Sequence, residues 1–224
     1  MTVKEAYEKY QVPPNLREHM LSVAGIATTI VDAWKDDNVS RATVVSACTV
    51  HDMANLLKFN LVDPKAISFL GKEATNVVHW RKVKEEVKAK YGPDEHQATV
   101  AICRELNLDE KALWIVDNWG FGNFDKVLAS DNWEYKICVY SDHRIGPFGV
   151  VSLVDRFAEQ RKRYEQQKHG SGDISAHLSD KGRLANCALE VEKQLQAKVS
   201  RDLAAITDEE INKNFEEFLS QEVS

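Results

Sequence analysis

The sequence predicts an all-α protein. Through most of the chain, apolar residues recur three and four positions apart, which places them on one face of a helix. The alternation of apolar and polar residues that is typical of strands is absent. Capping signals divide the chain into segments, and we expect about eight to ten helices.

The first part of the chain contains four predicted helices. Residues 1–10 form a short helix or an arm. The next begins at Asn15, which resembles the start of a capping box, and runs to about residue 34. The third begins at Ser40 and contains the apolar segment that follows. Asp63, which a proline follows, starts the fourth.

The later part of the chain continues the helical pattern. A polar stretch rich in glycine and serine, residues 169–175, is typical of a linker. Two further helices follow it, from about Asp180 and from the capping box at Thr207. They either pack back on the core or form the surface of a homodimer. The other helices are predicted at residues 72–91, 94–107, 133–146 and 150–167.

Composition limits the classes of function. The 224 residues carry a formal net charge of −6, which argues against a dedicated nucleic-acid-binding protein. No apolar run approaches the length that spans a membrane, and the first residues lack the apolar stretch of a signal peptide. The four cysteines are far apart and form no CxxC motif, which indicates a reducing compartment. We therefore expect a soluble, cytoplasmic protein.

An ionisable pair, His51 and Asp52, stands inside an otherwise apolar segment. Such side chains are rarely buried unless they are paired or bind a metal. Two further candidates stand at helical spacing from apolar residues, His19 in the second helix and Asp142 in a later one. Together the four side chains predict a metal site. Two imidazoles and two carboxylates suit Mn, Fe, Co, Ni or Zn better than Ca.

The order His19, His51-Asp52, Asp142, each in a helical context, resembles the H…HD…D signature of the HD-domain superfamily of metal-dependent phosphohydrolases. The segment YSDHRIGPFGVVSLVDRF, which contains Asp142, is similar to the closing segment of that family. There a Ser-Asp or Ala-Asp dipeptide supplies the last ligand.

The resemblance covers roughly residues 15–164 and implies a fold and a function. The fold is an HD-domain helical bundle over residues 1–167, and residues 168–224 form the linker and a C-terminal helical extension. The function is metal-dependent hydrolysis of a small phosphate ester, with a nucleotide as the leading candidate. The alternative is a non-catalytic HD-type regulatory module that binds a metal and a nucleotide.

Two departures from the family favour the module. HD nucleotidases carry an acidic residue shortly after the His-Asp pair, whereas the next turn here offers Asn55 and Lys58. Two-metal members use two further histidines. His96 matches the first of these and points at the core by its helical spacing, but the later region contains Asp117 and no histidine. We therefore expect one ion. Three roles for His96 stay open: a metal ligand, a residue just outside the ligands, or a residue that contacts the phosphate.

Substrate binding in so acidic a chain requires local cations. Lys58 can bind a phosphate as a point charge, and the family resemblance marks Arg144 and Arg156 for phosphate binding. Asp52, His96 and Lys58 are the predicted catalytic residues.

The glycine-rich segment at residues 119–122 is predicted to be a loop. Its aromatic residues, Trp119 and Phe121, either form a lid or wall beside the site or simply pack into the fold. The sequence leaves these two roles open.

Overall fold

The prediction of an all-α fold is confirmed. The computed structural model describes residues 1–68, 70–167 and 174–223. The helices in these residues are α1 Val3–Lys9, α2 Pro14–Asp32, α3 Arg41–Val50, α4 Pro64–Ser68, α5 Val77–Tyr91, α6 Glu95–Glu105, α7 Glu110–Asp117, α8 Phe124–Ala129, α9 Trp133–His143, α10 Leu153–Gln167, α11 Ile174–Lys198, α12 Asp208–Asn212 and α13 Phe215–Ser220.

Helix α2 is the centre of the fold. It packs against α3, α9, α12 and α13. A helix that is apolar around most of its circumference is expected to be buried, and this one buries Leu16, Met20, Leu21, Val23, Ala24, Ile26, Ala27 and Ile30. Gly25 allows α12 to approach closely, because a Cβ atom on this glycine would lie 2.6 Å from Cβ of Ile211.

The described part of the C-terminal segment packs on the same core. Helix α11 contacts α8 and α9, and one stripe of it is buried at Leu184, Ala188, Val191 and Leu195. The chain ends meet, since the backbone N–H of Val3 donates to the carbonyl of Gln221 at 2.9 Å. Residues 169–173 of the predicted linker, together with residue 168, lie outside the described residues. The helix expected from Asp180 begins by Ile174.

Several predicted helix boundaries differ from the structure, among them those of the second and third helices. Helix α2 begins at Pro14, with Pro13 at the cap and no side-chain capping bond, so the predicted capping box at Asn15 does not form. Proline suits this first position because it has no N–H to leave unpaired. The third helix was expected to continue through the His-Asp pair, but α3 ends at Val50.

The end of α3 has a physical reason. Adjacent side chains on a helix point about 100° apart, so His51 and Asp52 would diverge if the helix continued. His51 instead occupies the helix C-cap and Asp52 lies in the turn that follows, before a 3-10 turn at Asn55–Lys58. The break allows both side chains to turn toward the same point.

The expected absence of strands has one small exception. Strands β1 Ile145–Gly146 and β2 Gly149–Val150 form an antiparallel hairpin between α9 and α10. Its turn consists of Pro147 and Phe148. Each strand has only two residues, which is too short to give an alternating pattern that could be recognised in the sequence.

Candidate metal centre

Three elements bring together four side chains, which we call the His/Asp cluster: His19, His51, Asp52 and Asp142. His19 lies in the second turn of α2, His51 and Asp52 follow α3, and Asp142 is the penultimate residue of α9. Because α2 packs against both α3 and α9, these residues meet despite their separation in sequence.

The donor atoms of the cluster are spaced as ligands of one ion would be. Nε2 of His19 lies 3.1 Å from Oδ1 of Asp142 and 3.7 Å from Oδ2 of Asp52. Nε2 of His51 lies 3.9 Å and 3.8 Å from the same two oxygens. Ligand atoms about 2.1 Å from one ion are about 3 Å apart at a right angle and about 4.2 Å apart across it. His19, His51 and Asp52 form a group that could hold a metal ion, and Asp142 adjoins both imidazoles.

His51 is oriented by the backbone. Its Nδ1 lies 2.8 Å from the carbonyl oxygen of Cys48, and since a carbonyl can only accept, Nδ1 carries the proton. Nε2 therefore presents a lone pair. This atom is buried and has no hydrogen-bond partner among the described residues, whereas buried polar atoms are almost always bonded. A metal ion at the centre of the cluster would satisfy it.

The carboxylates are held by groups outside the cluster. The Nδ2 group of Asn55 donates to Oδ2 of Asp52 at 2.7 Å, and the indole N–H of Trp119 donates to Oδ2 of Asp142 at 3.1 Å. The Trp119 ring also stacks on the imidazole of His51, with ring centroids 4.3 Å apart and planes 13° from parallel. Such partners fix the orientation of ligands and strengthen metal binding. Trp119 therefore serves as packing and as a wall of the site.

We expect Trp119→Phe to weaken metal binding about tenfold. Phenylalanine can still stack on His51, but it lacks the N–H that orients Asp142. Calorimetric titration of the metal-free variant would measure the loss. Trp114→Phe is a matched control, because Trp114 is 46% exposed and lies outside the cavity lining. Equal affinities of the Trp119 variant and wild type would contradict the role of the indole N–H.

Charge couples His19 to Asp142. Burial lowers the pKa of His19, but the hydrogen bond and charge of Asp142, together with the charge of Asp52, raise it above its ordinary value. Burial raises the pKa of Asp142, yet the hydrogen bond from His19 and the nearby charges of His143 and His51 hold that pKa well below its ordinary value. Without a metal, a proton on His19 thus partly neutralises the cluster.

We expect the metal-free protein to lose stability as the pH rises above about 6.5, the ordinary pKa of a histidine. A raised folded pKa makes the contribution of His19 to the free energy of unfolding complete below the unfolded pKa. That contribution is lost as the pH rises through the folded pKa, by up to about 1.4 kcal/mol per pH unit. Metal binding needs the neutral imidazole, so the metal-loaded protein should gain stability over the same range. Thermal unfolding with chelator and with metal measures both trends.

The control for this pH dependence is His19→Asn, which removes the titrating group. Its metal-free form should lose the decline. Burial lowers the pKa of His143, so this residue contributes below the pH range tested. A decline of the same size in His19→Asn would show that another group causes it.

The His/Asp cluster lies in a cavity of about 1110 Å³. Its described lining is rich in acidic side chains: Glu18, Asp52, Glu95, Asp142 and Asp208. The lysine and arginine side chains in the lining are Lys58 and Arg156. A divalent cation would offset part of this negative charge, and the excess of carboxylates limits the charge that a bound anion can carry.

The predicted phosphate-binding residues occupy different environments. Lys58 lines the cavity and pairs with Glu95, at 2.7 Å between Nζ and Oε1. Arg156 also lines the cavity, with its side chain 17% exposed and Nη1 3.1 Å from Oε2 of Glu159. Its charge lowers the pKa of both His19 and His143, which indicates that it lies near the cluster.

Arg144 is not in the cavity lining, which disagrees with the expectation that it contacts substrate. It is 2% exposed, and its guanidinium donates to Tyr140 and to the carbonyls of Val151 and Leu203. A buried guanidinium requires such partners. Arg144 therefore joins α9 to the hairpin and to the C-terminal segment.

His96 lines the cavity, but it is not in the group that could hold a metal. Its Nε2 lies 2.9 Å from the backbone carbonyl oxygen of Asp117, so this nitrogen carries the proton and Nδ1 has the lone pair. The side chain of Asp117 is exposed and outside the cavity lining. The two residues are thus joined through the backbone of Asp117.

Sequence reasoning missed two residues at the site. The ligand-orienting role of Trp119 depends on a contact across 23 positions with Asp142, and only its place in a glycine-rich loop hinted at it. His143 is buried, its ring lies against those of Phe124 and Phe157 on neighbouring helices, and it also lines the cavity while Nδ1 is 3.0 Å from the carbonyl of Val139. Its position beside Asp142 was the available signal. The side chain of Phe121 is outside the described structure.

Comparisons of the chain with protein-family models, with curated proteins and with solved structures find no match. The fold and the site therefore define a broad class, an all-α protein with a His/Asp group that could hold a metal ion in an open cavity. Within the described ranges, no helix combines the length and apolar character needed to cross a membrane.

Proposed function

We propose that the protein is a metal-dependent phosphohydrolase of the HD-domain superfamily that acts on a small phosphate ester. The observation that carries the proposal is the Nε2 atom of His51, a buried lone pair without a partner among the described residues, which faces two carboxylates. This atom gains most from a cation. The order of the four cluster residues in the sequence, which resembles H…HD…D, supports the family.

The proposed ion is a single divalent metal held by His19, His51, Asp52 and Asp142. Two imidazole nitrogens and two carboxylate oxygens favour Mn, Fe, Co, Ni or Zn. A second ion would need ligands near His96, but Nε2 of that residue is bonded to a carbonyl and the Asp117 side chain is exposed. These contacts support a mononuclear centre.

In the proposed mechanism the protein positions the reacting groups. A divalent ion, when bound, supplies a Lewis acid that can lower the pKa of a water and polarise a phosphoryl group. Asn55 and Trp119 hold the oxygens of Asp52 and Asp142 in fixed directions. Arg156 supplies a guanidinium for phosphate oxygens, because it lines the same cavity and its charge acts on His19.

Proton transfer requires a group beside the cluster. Asn55 cannot take a proton, so the acidic residue of HD nucleotidases has no counterpart at that position. His96 lines the cavity, and because its Nε2 carries the proton that is donated to the carbonyl of Asp117, its Nδ1 has a lone pair. This lone pair supports His96 as the proton acceptor. Lys58 is held by Glu95 and acts as a phosphate-binding or proton-donating cation.

The charge of the cavity supports a substrate with one phosphate. Within the described lining, five carboxylates face one lysine and one arginine, and each of those cations is near a carboxylate already. A triphosphate would add negative charge without matching cations, whereas a monoester adds little. A nucleotide monoester fits both this limit and the cavity of about 1110 Å³.

Elemental analysis of the purified protein and a screen of phosphorylated metabolites test the proposal. We expect about one divalent ion per chain and phosphate release that a chelator abolishes. The alternative function, a metal- and nucleotide-binding module, is favoured by Asn55, which donates to Asp52 and supplies no base. Binding of a nucleotide without phosphate release would support the module and contradict the enzyme.

A further inference from the structure

The turn of the hairpin brings an aromatic side chain to the cavity. Phe148 is 98% exposed, and it lines the same cavity as His19 and Asp142. Single exposed apolar residues are ordinary on protein surfaces, so exposure alone carries no argument. Phe148 differs because it lies at the mouth of the candidate site and its backbone is held in place.

The backbone on both sides of Phe148 is fixed. The flanking residues pair as Ile145 with Val150 and as Gly146 with Gly149. The N–H of Val150 donates to Oδ1 of Asp208 at 2.9 Å, which ties the turn to α12. Gly149 has φ of 115°, and a Cβ there would lie 2.5 Å from the Asp208 carboxylate. The hairpin therefore presents an uncovered ring on an ordered support.

The polar part of the cavity wall is rich in carboxamides, and the lining includes Asn15, Asn60, Gln160 and Asn212. A carboxamide both donates and accepts hydrogen bonds. Oδ1 of Asn15 is buried and has no partner among the described residues, so a ligand donor could satisfy it. An aromatic face together with uncharged donors and acceptors matches a planar heterocycle with polar edges.

We propose that Phe148 is a substrate-binding residue that stacks on the heteroaromatic part of the phosphate ester, so that the hairpin selects nucleotides over simple sugar phosphates. The inference rests on the proposed function, since it requires the phosphate to lie at the His/Asp cluster. Base-on-aromatic stacking tolerates different bases because each has a π-face. The selectivity therefore concerns the presence of a base more than its identity.

The test compares nucleotides with a phosphate ester that lacks the base. The probes are the 5′-monophosphates of adenosine, guanosine, cytidine and uridine, and ribose 5-phosphate, with metal-loaded wild type and Phe148→Ala. We expect the variant to lower kcat/KM for the nucleotides about tenfold and to leave ribose 5-phosphate unchanged. Val78→Ala is the matched control, because Val78 is 75% exposed and outside the cavity lining. Equal effects on nucleotides and ribose 5-phosphate would overturn the inference.

Two further variants separate stacking from other effects. Phe148→Leu keeps an apolar side chain but loses the flat ring, so we expect it to behave like Phe148→Ala. Full activity of the leucine variant on nucleotides would overturn stacking. Asp208→Ala should reduce nucleotide selectivity by releasing the turn, and Asp208→Asn should restore it, because the amide oxygen can accept the same bond from Val150. Loss of selectivity in both Asp208 variants would contradict the tether.

Failure of the proposed function can be distinguished from failure of this inference. If no ester is hydrolysed, the proposed function fails, and calorimetric titration of wild type and Phe148→Ala with the four nucleotides tests Phe148 directly. Weaker binding by the variant would support stacking, while equal binding or none would overturn it. Size-exclusion chromatography excludes a different occupant: a dimer that Phe148→Ala dissociates would assign the ring to contact with a second copy and overturn the inference.

Discussion

Replacing Asp52 with alanine should remove the metal and reduce phosphate release at least about 1000-fold. Oδ2 of Asp52 lies 3.7 Å and 3.8 Å from Nε2 of His19 and His51, so this carboxylate faces both imidazoles. Losing a residue that merely orients a ligand costs about 10- to 100-fold in affinity, and losing a ligand should cost more. Elemental analysis and a phosphate-release assay on the same preparation measure both effects.

Asp117→Ala is the control for this prediction. It also removes a carboxylate, but from an exposed side chain outside the cavity, and should leave metal content and rate unchanged. Asp52→Asn is a control for misfolding, because it preserves the side-chain volume and an oxygen that can accept the hydrogen bond from Asn55. Metal content near the wild-type value in both Asp52 variants would reject the centre.

The helical class and the meeting of His19, His51 and Asp52 could be predicted from the sequence for one physical reason. Burying an ionisable side chain is costly unless a partner or metal compensates, so His and Asp in apolar helical segments must converge on something. The apolar pattern that shows the helices also shows which polar residues interrupt them. Both signals are local and need no knowledge of how the helices pack.

The partners of the cationic residues could not be predicted in the same way. Arg144 is two positions from Asp142, yet its guanidinium turns away from the cavity because carbonyls of Val151 and Leu203 accept its hydrogen bonds. Leu203 is 59 positions away in the sequence. The family resemblance marked Arg144 for a phosphate contact, but the direction of its side chain is set by the hairpin and the C-terminal segment.

The local geometry of the His51-Asp52 pair could not be predicted from the sequence either. An apolar run through residues 44–57 favours a continuous helix, while the structure ends α3 at Val50. Ending the helix here lets the adjacent side chains of His51 and Asp52 face one point, which a continued helix would prevent. The bond from Nδ1 of His51 to the carbonyl of Cys48 accompanies this end, since a carbonyl in the last turn of a helix is without a helical partner.

Arg156→Ala should lower kcat/KM about 50-fold while leaving metal content unchanged, because hydrogen bonds to charged groups contribute about 1.5–3 kcal/mol. Arg156 lines the cavity, is largely buried, and its charge lowers the pKa of His19. It is therefore near the cluster without belonging to the carboxylates and imidazoles that would bind the ion. Steady-state kinetics and elemental analysis on one preparation separate these two contributions.

Two further variants show whether the guanidinium of Arg156 causes the loss of kcat/KM. Arg156→Lys keeps the positive charge but not the two parallel N–H groups of a guanidinium, so it should recover part of the activity. Arg161→Ala removes an exposed arginine from the same helix, outside the cavity lining, and should have no effect on kcat/KM. If Arg156→Ala retains wild-type kcat/KM, or if it loses the metal together with activity, then Arg156 does not hold the phosphate and Lys58 remains as the lining cation that could do so.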